Sequence, residues 1–118
     1  MGTRARIVAA EEAPVIDRAH LCRMTAGAGE LERELLALFD TQCAVLMQRM
    51  AEVPAPARAT LAHTLKGSAL GIGAIRVVQA AAAVENGEEP QTAALLRLNA
   101  AVQEARLAIA RLLAQPPE

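Results

Sequence analysis

Leu61-Ala62-His63-Thr64-Leu65-Lys66-Gly67-Ser68-Ala69-Leu70-Gly71-Ile72-Gly73-Ala74 is the stretch that decides the fold. Its apolar spacing is helical, yet it carries a glycine in mid-helix and a histidine where no packing partner is expected. At about 100° per residue, Leu61, Leu65, Ser68 and Ile72 fall within about 60° of one another and form the expected buried stripe. His63 then points about 180° away, into solvent. Lys66 and Gly67, at i+3 and i+4, flank the imidazole on the same surface. Glycine inside a helix costs roughly 1 kcal/mol relative to alanine, so Gly67 needs a reason, and the simplest is room for a bulky visitor. An exposed imidazole, an ammonium beside it and a cleared patch suit a histidine that carries an anionic group.

The run His63-Thr64-Leu65-Lys66-Gly67-Ser68-Ala69, continuing to Gly71-Ile72-Gly73-Ala74, resembles the His-x-Leu-Lys-Gly-Ser/Ala signature of histidine-containing phosphotransfer (HPt) domains. These are phosphohistidine carriers of bacterial two-component relays. The motif covers about a dozen residues, and length and helix layout match over roughly 16–114. The resemblance implies an all-α, antiparallel four-helix bundle, here with a short extra N-terminal helix. It also implies phosphorylation of His63, loading by a histidine kinase or hybrid kinase, and exchange with response-regulator receiver domains that supply the aspartate and Mg²⁺.

The bounds agree. The chain's 118 residues suffice for one core. A net charge of −1 gives no basic footprint for nucleic acid or an anionic membrane. Hydrophobic residues make up 53%, mostly alanine and leucine, and Phe39 is the only aromatic, which favours helix over strand. Cys22 and Cys43 lack metal-ligand or C-x-x-C spacing and read as reduced thiols in helices. No run of 18 apolar residues and no signal-peptide core is present, so a soluble, cytoplasmic protein is expected.

Residues 1–14 mix charges with small residues and read as a flexible lead-in closed by Pro14, ahead of a single domain over 15–115. A short helix is expected over Val15–Met24, with Asp17 as N-cap or first-turn acid and Val15, Ile16, Ala19 and Leu21 against the bundle. His20 lies there without a lysine-glycine neighbourhood and reads as structural. A long helix should follow from about Ala28 to Glu52, its inward face drawn from Leu31, Leu35, Leu38, Phe39, Gln42, Val45, Leu46 and Met50, with Met47 and Met50 as gap-fillers. Pro54 and Pro56 end it and open the His63 helix. Gly71 and Gly73 should interrupt that helix, with a restart at about Ala74.

The next helix places Ile75, Val78, Ala82 and Glu85 on one side. Glu85 thus sits at the edge of an inward face and near the negative helix end, which disfavours a carboxylate. It wants a donor, and we expect it to accept a hydrogen bond from Nδ1–H of His63, leaving Nε2 as the nucleophile. A frayed, solvated glutamate is the plainer alternative; the resemblance favours the first, because phosphotransfer domains carry Gln or Glu at this distance. Asn86-Gly87 should make a turn. A last helix should open at Glu88-Glu89-Pro90, with Leu95, Leu98, Val102, Ala105, Ile109 and Leu112 inward and Arg97, Gln103, Glu104, Arg106 and Arg111 solvated.

The candidate site is therefore His63 as phosphoryl acceptor and donor, Lys66 to neutralise phosphoryl oxygens, Gly67 to keep the surface open and Glu85 to orient the ring. Ala59, Ala62 and Leu70, with Gln42 as a nearby polar contact, are expected to receive a partner. The chain shows no P-loop, no kinase loop set and no carboxylate cluster for Mg²⁺, so no ATP site, metal or cofactor of its own is expected. A monomer is expected. A phosphorylation-independent helical adaptor docking on a receiver or kinase is the alternative of a different class. A metal-binding bundle or a hydrolase lacks the necessary residue spacing.

Overall fold

The computed structural model describes residues 14–116; the expected lead-in, Pro14 apart, lies outside them. Five helices occur among the described residues: α1 Arg18–Met24, α2 Gly29–Glu52, α3 Ala55–Ile72, α4 Ile75–Glu85 and α5 Gln91–Ala114. No strand occurs among these residues. Helix α2 packs on α3, α3 on α4, α4 on α5, and α5 returns to α2, while α1 lies across α2 and α3. None of these helices is long and apolar enough to cross a membrane.

Side-chain chemistry sets the helix ends. Asp17 caps α1, its carboxylate accepting the His20 backbone N–H at 3.1 Å. Pro54 and Pro90 precede α3 and α5, where a missing N–H costs nothing. Gly73 stops α3 in a left-handed conformation, φ +77°, and its carbonyl accepts the Asp17 N–H at 2.9 Å. A Cβ at Gly73 would lie 2.9 Å from both the Asp17 carbonyl oxygen and its Cβ, so glycine is required for close approach as well as for φ. Two arginines occupy helix C-termini that their own helices leave open. Arg33 donates to the carbonyls of Leu113 and Gln115 at the end of α5, at 2.7 and 3.2 Å. Arg58 donates to those of Met50 and Val53 at the end of α2, at 3.2 and 3.1 Å.

The core is aliphatic, with Phe39 its one aromatic, and its faces depart from those expected. In α2 the buried line is Leu36, Phe39, Cys43, Leu46 and Met50, while Leu31, Leu38 and Val45 are exposed. In α3 it is Ala62, Leu65, Ala69 and Ile72, with Leu61 only partly buried. That stripe is rotated by about 50° from the expected one. In α4, Val77, Ala81 and Val84 turn inward, and Ile75, Val78 and Ala82 lie toward the boundary. Ala19 is exposed, and Arg106 is not simply solvated but pairs with Asp40 of α2 at 2.8 Å. One cause covers α3 and α4. In an alanine-rich chain the closest-packed seam forms where methyls meet, because helix separation follows side-chain size at the contact.

Candidate functional site

His63 stands near the middle of α3 with its side chain 68% exposed. With the buried stripe running through Ala62 and Ala69, the ring projects about 140° from the core, leaning toward α4. Glu85, the last residue of α4, meets it: His63 Nδ1 lies 2.6 Å from Glu85 Oε2. A carboxylate only accepts, so Nδ1 carries the proton and donates. In the neutral ring the opposite nitrogen, Nε2, then keeps its lone pair and faces away from the carboxylate.

The second oxygen of Glu85 is taken by Lys66, whose Nζ lies 2.5 Å from Oε1. One carboxylate thus joins an imidazole and an ammonium through separate oxygens. The Lys66 contact, opposed by partial burial and reinforced by the His63 bond, holds the Glu85 carboxyl below its ordinary range. It remains ionised despite standing at the negative end of α4. Lys66 is 27% exposed and folded against Glu85.

The surface around the ring is low. A Cβ added at Gly67 would meet nothing within 4 Å, so no described residue fills the space over it. The hydroxyls of Thr60 and Thr64 turn back to the carbonyls of Pro56 and Thr60, at 3.5 and 3.2 Å.

The expected partner-facing residues divide. Leu70 is 49% exposed, and it shares the face of His63 at i+7. Ala59 is half-buried. Ala62 is fully buried at 0% exposure and is corrected to a core residue, its small methyl fitting the buried stripe of α3. Gln42 lines a cleft of about 260 Å³ between α2 and α3, together with Met24, Leu38, Ser68 and Gly71. Leu38 and Val45, expected in the core, stand on the surface of α2 instead. They repeat every seven residues with Leu31, but so do the buried Leu36, Cys43 and Met50, so spacing alone did not tell the two faces apart.

The remaining candidates are structural. His20 Nε2 lies 2.8 Å from the Leu70 carbonyl and therefore donates to it, tying α1 to the last turn of α3. Cys22 is exposed and Cys43 buried, and burial pushes the Cys43 thiol up to about 12. No group of three or more His, Cys, Asp or Glu side chains able to hold a metal occurs among the described residues.

A family model described as the Hpt domain matches residues 31–115, a span that contains His63, Lys66, Gly67 and Glu85. No curated protein and no solved structure matches the chain. Hpt domains are helical phosphotransfer carriers of two-component relays that work with receiver domains and kinases and contain no nucleotide-using catalytic site of their own. With the greater part of its length matched and an all-helical structure, the chain belongs to the Hpt domain family.

Proposed function

We propose that this protein is a phosphorelay intermediate that accepts a phosphoryl group on Nε2 of His63 and exchanges it with an aspartate of a response-regulator receiver domain. The observation that carries the reading is the bond from His63 Nδ1 to Glu85 at 2.6 Å on a ring that is otherwise exposed. In loading, the Nε2 lone pair attacks phosphorus, an N–P bond forms and the P–O bond to the departing aspartate carboxylate breaks. Nδ1 keeps its proton throughout, and Glu85 stabilises the positive charge that gathers on the ring. Reversal uses the same groups. Gly67 leaves the approach clear, and Lys66 adds positive charge at the base of the site.

The helix order and short connections fit an antiparallel four-helix bundle, α2 to α5, carrying α1 as a short extra N-terminal helix. A receiver would settle over Gly67 and against Leu70, Ala59, Leu38 and the cleft bordered by Gln42. It would bring the aspartate and Mg²⁺, so this chain needs no metal or cofactor. A histidine or hybrid kinase of a bacterial cytoplasm is the expected source of phosphate, and a monomer suffices. Incubation with a phosphorylated receiver should place an acid-labile, alkali-stable phosphate on the chain, abolished in His63→Gln. Label that survives strong acid, or signalling retained in His63→Gln, favours the adaptor reading instead.

A further inference from the structure

We infer that the outward face of α5 pairs, antiparallel, with the same face of a second copy of this chain, leaving both His63 rings free. The inference goes beyond the phosphocarrier reading and does not depend on it.

Its starting point is a second apolar line on one helix. Helix α5 buries Ala94, Leu98, Val102, Ala105 and Ile109 against its own bundle. At about 100° per residue, Leu96, Ala100, Gln103, Leu107, Ala110 and Ala114 fall within about 80° of one another on the opposite side. All six are exposed, Leu96 at 66% and Leu107 at 55%. Their intervals alternate between four residues and three, the spacing of a seam that faces another helix. Leu96 also borders a cleft of about 480 Å³ between α2 and α5, walled by Met47, Ala51 and Leu95, so the apolar surface continues beyond the helix.

The flanks of the seam select its occupant. Two copies of α5 laid antiparallel, with Leu96 against Leu107 of the other copy, also set Ala100 against Gln103. The same pairs then recur on both sides of a two-fold axis, so the contact closes on itself. Arg97 and Glu104 stand on one edge of the seam. In this register each comes within two residues of the height of its opposite charge in the other copy, giving two Arg97–Glu104 pairs across the axis. Arg111 comes beside the start of the other α5, which Glu88 and Glu89 precede. A parallel pairing instead sets Arg106 against Arg111 of the other copy, like charge against like. Within one copy Arg97 binds Glu88 at 2.7 Å and Glu104 binds Arg76 at 2.8 Å, exposed bridges that yield readily to a new partner.

Helix α5 packs on α2 and α4 and not on α3, so it stands across the bundle from the helix that carries His63. Pairing through its outer face therefore leaves each ring open to a receiver.

Sedimentation equilibrium of the full chain over a concentration series reads the association, with circular dichroism checking each variant. Wild type should show a reversible monomer–dimer equilibrium with a Kd of about 100 µM, as suits a small, partly polar seam. Leu96→Glu/Leu107→Glu should stay folded, both side chains being already in water, and weaken association by at least about 30-fold. Arg97→Glu should weaken it about tenfold by setting carboxylate against carboxylate, and Arg97→Glu/Glu104→Arg should return to within about threefold of wild type. Leu38→Glu, on α2, should dimerise as wild type does. Phosphoramidate loading of His63 should proceed at one rate in wild type and Leu96→Glu/Leu107→Glu. Wild type that stays monomeric at about 1 mM overturns the inference, even if another protein binds the face. A dimer broken by Leu38→Glu and not by the α5 variants overturns it too, as does a charge exchange that fails to restore association. Loading that changes with the state of association overturns the placing of the seam away from the ring.

Discussion

His63 of α3 and Glu85 of α4, 22 residues apart in sequence, are joined by a 2.6 Å hydrogen bond that ties the ring nitrogen nearer the backbone and frees the outer one. The pairing turns an exposed imidazole, ordinarily a mixture of two tautomers, into an oriented nucleophile. Glu85→Ala should therefore leave the helical circular dichroism intact and lower loading of His63 by about 10- to 100-fold. The bond should also persist into acid. Because the Glu85 carboxyl is held below its ordinary value near 4.5, its contribution is present above that pH and is lost only as pH falls through the lowered value. Carbon-13 titration of the Glu85 carboxyl checks this, and in Lys66→Met the acid transition should move to higher pH.

Gly67 and Gly73 make a matched pair of substitutions with opposite outcomes. At Gly67 the backbone is helical and an added Cβ meets nothing, so Gly67→Ala should hold or raise stability by up to about 1 kcal/mol. Its cost falls on transfer, because a methyl then stands where a receiver must come close. Urea melts and receiver transfer rates, measured on one preparation, separate the two effects.

Gly73→Ala should do the reverse. With φ at +77° and the Asp17 backbone against the new Cβ, the variant should lose about 1–3 kcal/mol and melt correspondingly lower. Phosphoryl transfer, measured well below the melting temperature, should stay near wild type, since Gly73 lies beyond the end of the helix that carries the ring.

The cysteines should respond unequally. Cys22 is exposed and should alkylate readily in the folded protein, whereas Cys43 should react only after unfolding. The Cys43 thiol, raised from 9.0 to about 12, stays protonated in the fold at a pH where the unfolded chain has become thiolate. Stability should therefore decline as pH rises above about 9, and Cys43→Ala should flatten that alkaline limb. Iodoacetamide mass mapping and urea melts at alkaline pH are the measurements.

Leu70 and Leu38 are large apolar side chains left in water, 49% and 65% exposed. Leu70→Glu and Leu38→Glu should change stability by less than about 0.5 kcal/mol. Binding of a cognate receiver should weaken by about tenfold if they anchor it. Titration calorimetry against an unphosphorylated receiver tests this, and unchanged affinity in both variants would remove them from the docking surface.

What the sequence made legible was local. The helices lie within a residue or three of their expected ends, because Asp17, Pro54, Gly73, Gly87 and Pro90 are punctuation that acts on its immediate neighbours. The rotation of each helix was harder to read. Alanine is apolar enough to be buried and small enough to be exposed, so Ala62 and Leu61 could exchange places in the expected stripe of α3 without any signal in the sequence. The exposed aliphatic residues misled too: Leu38 and Val45 look like core in a window of their own helix. Long-range polar contacts were illegible. Arg33 and Arg58 cap helices other than their own, and the Lys66–Glu85 pair depends on which way a flexible ammonium folds. The His63–Glu85 geometry was open to inference because a carboxylate at a helix C-terminus is a local anomaly and the resemblance to phosphotransfer domains supplied its partner.

The alanine seam constrains the chain further. Glu85 reaches the imidazole from a neighbouring helix, and α3 buries Ala62 and Ala69 wholly, at 0% exposure, where a larger side chain has no room. A valine at position 69 would be an ordinary hydrophobic replacement by thermodynamic standards, yet it would wedge the rods apart and detune a reactive ring one and a half turns away. Tolerance at such interior sites is thus governed by chemistry conducted on the outside, so a thoroughly folded variant can still be a mute one.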